Sequence, residues 1–152
     1  MNHSDQLGFE SKRRSDGAGG ARPQILVLDD DKTLAWMLFE LLRLMGYEAT
    51  VFTSPQEALT SINCRRFDAI ICDFHMPQMN GREFYRQVAA RRPEQARHIV
   101  FLTGDMSDDG TLEFLESNSN PHLFKPFQMG DLQNLLNHCV ARDFERIIAN
   151  AA

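Results

Sequence analysis

The chain lacks the features that mark several common protein classes. Its three cysteines, Cys64, Cys72 and Cys139, are odd in number and form no CxxC pair. This argues against a disulfide or zinc framework and predicts reduced thiols. No apolar run approaches the roughly 18 to 20 residues that span a bilayer, and the N-terminus shows no secretory apolar segment. We therefore expect a cytoplasmic protein.

The chain also lacks an excess of basic residues. It has 16 lysines and arginines against 21 aspartates and glutamates, a net charge of −5. Such a chain has no general attraction to nucleic acid or to an anionic membrane, and neither is expected as a partner. No internal repeat is present. With 152 residues, 43% of them apolar, the chain is about one domain and has enough apolar side chains for a buried core.

The first 22 residues differ in composition from the rest. Residues 1–22 are polar, show no hydrophobic periodicity and include the glycine-rich stretch 15–21. Because such a segment has few groups to bury, we expect a flexible N-terminal tail. The folded domain is expected over residues 23–149, with no effector domain after it.

From Gln24 onward, short apolar runs alternate with amphipathic segments. The predicted strands lie at about 25–28, 48–52, 69–72, 98–102 and 121–124. The predicted helices lie between and after them, at about 33–45, 54–63, 82–91, 108–117 and 130–148. Strands of continuous apolar character are typical of a parallel sheet that is covered on both faces. With right-handed crossovers, this predicts a doubly wound α/β fold: a five-stranded parallel sheet flanked by five helices.

Polar side chains stand at the ends of four of these runs. Asp29, Asp30 and Asp31 follow the first run, Asp73 closes the third, Thr103 ends the fourth and Lys125 follows the fifth. In open α/β sheets, ligands bind beyond the carboxyl ends of the strands. If the runs are neighbouring parallel strands, these polar groups collect at that edge.

The predicted site is rich in carboxylate oxygen. Asp29, Asp30 and Asp73 suit Mg²⁺, which proteins hold by one or two carboxylates plus waters. They do not suit zinc, which prefers histidine or cysteine. A carboxylate can also act as the nucleophile that accepts a phosphoryl group. Mg²⁺ and the Lys125 ammonium would then neutralise the phosphoryl oxygens, and the Thr103 hydroxyl would hydrogen-bond one of them.

These residues resemble the receiver domain of two-component response regulators. The resemblance covers about residues 23–145 and includes the intervals from Asp29 to Asp73, Thr103 and Lys125. The segments that carry it are 25–31 (ILVLDDD), 70–77 (IICDFHMP) with 79–81 (MNG), 102–104 (LTG) and 124–127 (FKPF).

The resemblance implies a flavodoxin-like sheet of strand order 2-1-3-4-5 and a set of site residues with Mg²⁺ as cofactor. The implied roles are Asp73 as phosphoacceptor, Asp30 as direct metal ligand, Asp29 as a metal ligand acting mainly through water, His75 as a ligand through its backbone carbonyl, Thr103 as switch hydroxyl and Lys125 as partner of the phosphate. His122 stands where the family often has tyrosine or phenylalanine, three residues before its lysine.

The implied function is a signalling domain rather than an enzyme, although it assists its own phosphotransfer and dephosphorylation. Its surface would switch for a downstream protein target. The stretches 101–105, 114–116 and 123–127 look most like receivers attached to hybrid sensor kinases. This favours a histidine kinase or a histidine phosphotransfer protein as the phosphodonor. A homodimer is a further expectation, because receivers often pair through the face of their last two helices and strand.

Two other functions stay open at this point. Residues 29–34 also fit the Asp-x-Asp-x-Thr opening of haloacid-dehalogenase-like phosphatases, with Asp29 as nucleophile and Asp31 as general acid. That family places further metal-binding acids on a strand end after its lysine, which this sequence lacks, and Asp73 would have no role. The other alternative is a receiver-like interaction module that is not phosphorylated. The full acidic set and Lys125 argue against it.

Overall fold

Five parallel strands form the centre of the molecule. The computed structural model describes residues 20–105 and 107–151, so most of the predicted tail, residues 1–19, lies outside the described residues. The strands are β1 (Gln24–Leu28), β2 (Glu48–Phe52), β3 (Ala69–Asp73), β4 (Ile99–Thr103) and β5 (His122–Phe124). Their order is β2-β1-β3-β4-β5, and every neighbouring pair is parallel. The predicted sheet and its strand order are confirmed.

Helices connect the strands and cover both faces of the sheet. They are α1 (Lys32–Leu44), α2 (Pro55–Cys64), α3 (Gly81–Arg91), α4 (Pro93–Ala96), α5 (Asp109–Ser117) and α6 (Met129–Ala151). The prediction of five helices is corrected by α4, a helix of four residues. Arg92 leaves the helical region, with φ −135° and ψ 69°, and Pro93 then starts a new turn. One turn is too short to show a hydrophobic period, and the sequence pattern therefore missed it.

Polar side chains begin the helices on the site side of the sheet. The Asp31 carboxylate accepts the backbone N–H groups of Thr33 and Leu34 at the start of α1. The Asn80 side chain accepts the N–H of Glu83 and begins α3. These bonds satisfy donors that a helix N-terminus leaves without a partner. Asp31 therefore caps α1 and sets its start next to the acidic pocket.

Two apolar layers hold the sheet, one on each face. Leu26, Leu28, Ile70 and Phe101 pack on the face covered by α2, α3 and α5. Alternate residues of the same strands pack on the other face against α1 and α6. All five residues of β3 are buried, including Asp73 at its end. Since each fully buried large apolar side chain contributes about 1.5–3 kcal/mol, this packing fixes where the strand ends lie.

Two simpler expectations concern cysteine chemistry and membrane spans. Cys64, Cys72 and Cys139 form no disulfide with one another; Cys64 is exposed, and Cys72 and Cys139 are buried. Among the residues that the structure describes, no helix is both long and apolar enough to cross a bilayer.

Candidate functional site

The carboxyl ends of the strands bring the predicted polar residues to one edge of the sheet. Asp29 and Asp30 follow β1, Asp73 is the last residue of β3, and Thr103 is the last residue of β4. Lys125 directly follows β5. Because β3 lies between β1 and β4 in the sheet, Asp73 stands at the centre of this group.

Three carboxylates form a compact cluster there. One oxygen from each of Asp29, Asp30 and Asp73 lies within 4.8 Å of the others. Asp29 is only 1% exposed and Asp73 only 6%, whereas Asp30 is exposed at the rim. The cluster therefore combines two buried carboxylates with one that faces solvent.

Lys125 supplies a single positive charge to this cluster. Its Nζ donates a hydrogen bond to Asp73 Oδ1 at 3.3 Å and lies 3.5 Å from Asp29 Oδ2. Asp29 Oδ1 accepts the backbone N–H of Asp31 at 2.9 Å. Asp29 Oδ2, although within ion-pair distance of the ammonium, has no hydrogen-bond partner among the described residues. A buried carboxylate oxygen without a hydrogen-bond partner lowers the stability of the folded state unless another group binds it.

The pKa values of the buried acids reflect this shortage of positive charge. Burial raises the pKa of Asp73 to about 6, and the nearby Asp29 carboxylate adds to the rise while Lys125 opposes it. Burial also raises the pKa of Asp29. Both shifts show that the charged forms are disfavoured when only the ammonium is present.

The residues present fit a hard divalent cation. The donors are all carboxylate oxygens, and one buried oxygen has no hydrogen-bond partner among the described residues. The Lys125 ammonium pairs with two of the three acids, Asp29 and Asp73. Mg²⁺ prefers such oxygen ligands and keeps several waters, which the exposed side of Asp30 allows. His75 lies two residues beyond Asp73 with an exposed side chain, and its ring centroid is 5.3 Å from that of Phe74. Its imidazole does not belong to the carboxylate cluster.

The Thr103 hydroxyl is engaged away from the carboxylates. The side chain is fully buried, and its Oγ1 donates to the backbone carbonyl of Asp105 at 3.3 Å. The hydroxyl can bond a group on Asp73 only if it gives up this contact. On β5, His122 is half-buried and its ring centroid lies 5.2 Å from that of Phe124, edge to face.

Gly81 allows the turn after Asp73 to close against the strand. Its backbone N–H donates to the Phe74 carbonyl at 2.8 Å. A Cβ atom at position 81 would stand 2.6 Å from Phe74 Cδ2, closer than real Cβ contacts come. The segment 79–81 was part of the resemblance, but the close approach that requires glycine is visible only in the folded chain.

Comparison with known proteins points to one family. A family model described as response regulator receiver domain matches residues 25–137. The two-component response regulator ORR21 of Oryza sativa subsp. indica is 31% identical over 134 residues, which are 85% of this chain and 19% of the relative. The transcriptional regulatory protein ZraR of Escherichia coli O157:H7 is 32% identical over 117 residues, 77% of this chain and 26% of the relative. The chain thus spans about a fifth to a quarter of these relatives.

A solved structure extends the comparison to a metal-bound site. It is the receiver domain of the sensor histidine kinase PA1611 from Pseudomonas aeruginosa PAO1, with a magnesium ion coordinated in its active site cleft. The TM-score is 0.70 with 27% identity, covering 80% of this chain and 99% of that one.

Proposed function

Because this chain belongs to the response regulator receiver domain family, we propose that it takes a phosphoryl group onto Asp73 in a Mg²⁺-dependent reaction. The donor is a histidine kinase or a histidine phosphotransfer protein, and the chain acts in the cytoplasm. The observation that carries the proposal is the place of Asp73 at the end of the central strand, among two further carboxylates and the Lys125 ammonium. The phosphatase alternative is not favoured, because it leaves Asp73 without a role.

Each residue of the site has a task in this reaction. An ionised Asp73 oxygen attacks phosphorus, and the bond from phosphorus to the donor histidine breaks. When Mg²⁺ is bound, Asp30 at the open rim and Asp73 would ligate it directly, Asp29 would act mainly through water, and the His75 carbonyl would be the third protein ligand. Bound Mg²⁺ would supply positive charge against the phosphoryl oxygens. Lys125 then pairs with the phosphate on Asp73.

The domain passes the signal on through its surface. Once Asp73 carries a phosphoryl group, the Thr103 hydroxyl turns toward a phosphoryl oxygen and leaves the Asp105 carbonyl. The surface around α5 and β5 changes as a result and is recognised by a downstream protein target or a second copy of the chain. The site also assists hydrolysis of its own phosphate, which resets the signal.

The modified carboxylate can be located directly. Incubation with Mg²⁺ and acetyl phosphate, reduction of the acyl phosphate with borohydride and peptide mass spectrometry should find homoserine at position 73. Modification of Asp29 instead would support the phosphatase alternative. Absence of any modification, from acetyl phosphate and from a panel of phosphorylated kinases, would support an interaction module that is not phosphorylated.

Asp30→Ala is expected to weaken Mg²⁺ binding at least about tenfold, because it removes the exposed carboxylate of the cluster. Amide chemical shifts or Trp36 fluorescence would follow the titration. Asp31→Asn is the matched control, because it removes one negative charge at the adjacent position but keeps an oxygen that can cap α1. Equal weakening in both variants would show that general charge, and not ligation by Asp30, attracts the metal.

Beryllofluoride, a phosphoryl mimic, should shift the amide signals of Thr103, residues 105–117 and His122 more than those of residues 54–63. The physical reason is that the Thr103 hydroxyl must exchange its Asp105 contact for the mimic. Thr103→Val removes the hydroxyl at similar volume and should reduce these shifts while Mg²⁺ still binds. Shifts of equal size in both regions of the parent would contradict the switch.

A further inference from the structure

One side chain ties the first turn of α5 to α3. Arg82, in the first turn of α3, is half-buried, and its Nη2 donates to the backbone carbonyl of Gly110 at 2.6 Å. The same guanidinium lies 5.5 Å from the centroid of the Phe114 ring, within the range of a cation–π contact. Gly110 and Phe114 both belong to α5. Arg82 therefore holds this helix at two points, one polar and one aromatic.

The aromatic contact belongs to a cluster that begins beside the phosphoacceptor. Phe74 follows Asp73 directly, and its ring centroid lies 5.6 Å from that of Phe101 and 5.7 Å from that of Phe114. Phe114 also contacts Phe101 at 5.7 Å and Tyr85 at 5.8 Å. Closely packed side chains transmit a displacement of one to its neighbours. The position of α5 is thus coupled through Phe114 to the residue next to Asp73.

The other connection between α5 and the site runs through Thr103. Its hydroxyl donates to the Asp105 carbonyl, and the Asp108 carboxylate caps α5 by accepting the N–H of Gly110 at 3.1 Å. When Thr103 turns to a phosphoryl oxygen, Asp105 loses its tie to β4. A shift of the first turn of α5 away from α3 would break the bond from Arg82 to Gly110.

Resting on the proposed function, we propose that Arg82 is a positioning residue that holds α5 in its unphosphorylated arrangement and thereby weakens phosphoryl binding at Asp73. An interaction made in one state alone biases the equilibrium toward that state. A ligand that needs the other state then binds less tightly. Arg82 acts through α5 and Thr103 and does not touch the reacting atoms.

The neighbouring arginine of the same helix shows that this arrangement is particular to Arg82. Arg86 lies one turn further along α3, is exposed, and pairs with Glu83 at 4.0 Å. A surface pair of this kind contributes little to stability. Arg86 therefore offers a control of the same residue type on the same helix, because among the described residues its ion pair is with Glu83 of α3 and not with α5.

The test compares Arg82→Met, Arg82→Lys and Arg86→Met with the parent. Methionine keeps much of the side-chain length without donors, and lysine keeps the charge and a donor. For each protein, the dissociation constant of Mg²⁺ is measured first, and that of beryllofluoride is then measured at saturating Mg²⁺. Hydrogen exchange of the α5 amides is recorded on the same samples, and circular dichroism confirms the fold.

Arg82→Met should bind beryllofluoride about tenfold more tightly than the parent, because a hydrogen bond from a charged donor is worth roughly that factor. Its α5 amides should exchange faster and its Mg²⁺ affinity should not change. The beryllofluoride affinity of Arg82→Lys should be closer to that of the parent, and the affinity of Arg86→Met should equal that of the parent. A merely structural role would loosen α5 without tightening beryllofluoride binding.

Two failures are distinguishable. If the parent itself binds no beryllofluoride in the presence of Mg²⁺, the proposed function falls, and the role of Arg82 falls with it. If the parent binds the mimic but Arg82→Met binds it no more tightly, the phosphoacceptor function stands and the inference about Arg82 alone is overturned. If Arg82→Met does not fold, Arg82→Gln takes its place with the same expected tightening, because its shorter, uncharged side chain also loses the cation–π contact with Phe114.

Discussion

Asp73→Asn is expected to accept no phosphoryl group, from acetyl phosphate or from a phosphorylated kinase. The amide that replaces the carboxylate has no ionised oxygen to attack phosphorus, and no other buried acid occupies the same place at the end of β3. Phosphorylation of this variant should be lost completely rather than partly. Asp29→Asn should still be phosphorylated at position 73, but slowly, because it removes a buried carboxylate that supports the metal.

The matched control for this variant is Asp68→Asn. Asp68 immediately precedes the same strand at its other end, where its carboxylate accepts the backbone N–H of Gln24 at 2.7 Å. Asparagine can still accept that bond, so this variant should be phosphorylated like the parent. Mass spectrometry of the intact proteins gives the modified fraction. Full modification of Asp73→Asn would overturn the assignment of the phosphoacceptor.

In the absence of metal, Asp73→Asn is expected to be more stable than the parent at pH 7.5, by about 2 kcal/mol. The pKa of Asp73 is raised by burial to about 6 in the folded chain, against about 3.9 in an unfolded one. The folded state therefore holds this proton more tightly than the unfolded state. Its stabilising contribution is fully present below the unfolded pKa and is lost as pH rises through about 6. Asparagine, which does not ionise, avoids that loss.

Urea unfolding with a chelator at pH 4.0, 6.0 and 7.5 would measure this effect. The difference in the free energy of unfolding between the parent and Asp73→Asn should be smallest at pH 4.0 and largest at pH 7.5. Added Mg²⁺ should stabilise the parent at pH 7.5 more than the variant, because metal binding to the folded state offsets the repulsion among the carboxylates. A difference that is the same at every pH would show that ionisation of Asp73 is not its cause.

Local patterns in the sequence accounted for most of the fold. Apolar runs predicted the five strands to within about one residue. The three central strands are almost wholly buried, and strands covered on both faces have near-continuous apolar residues. Ser54 and Asn80 cap the starts of α2 and α3 through side-chain hydrogen bonds to residues three positions on, which are likewise local interactions. The helix α4 was missed, since a single turn has no period and depends on Pro93 and on the buried bonds of Gln95 to Phe67.

The order of residues along the chain specifies the chemistry that it can carry: acids, a hydroxyl and a lysine each stand at a strand end, and parallel strands bring these ends to one edge. It could not decide the distances among them. Only the tertiary structure leaves Asp29 Oδ2 without a hydrogen-bond partner among the described residues, turns the Thr103 hydroxyl toward Asp105 and seats Arg82 on Gly110. Arg82 and Gly110 lie 28 positions apart in the chain. All three features depend on how the helices and loops pack around the sheet, which no local pattern encodes.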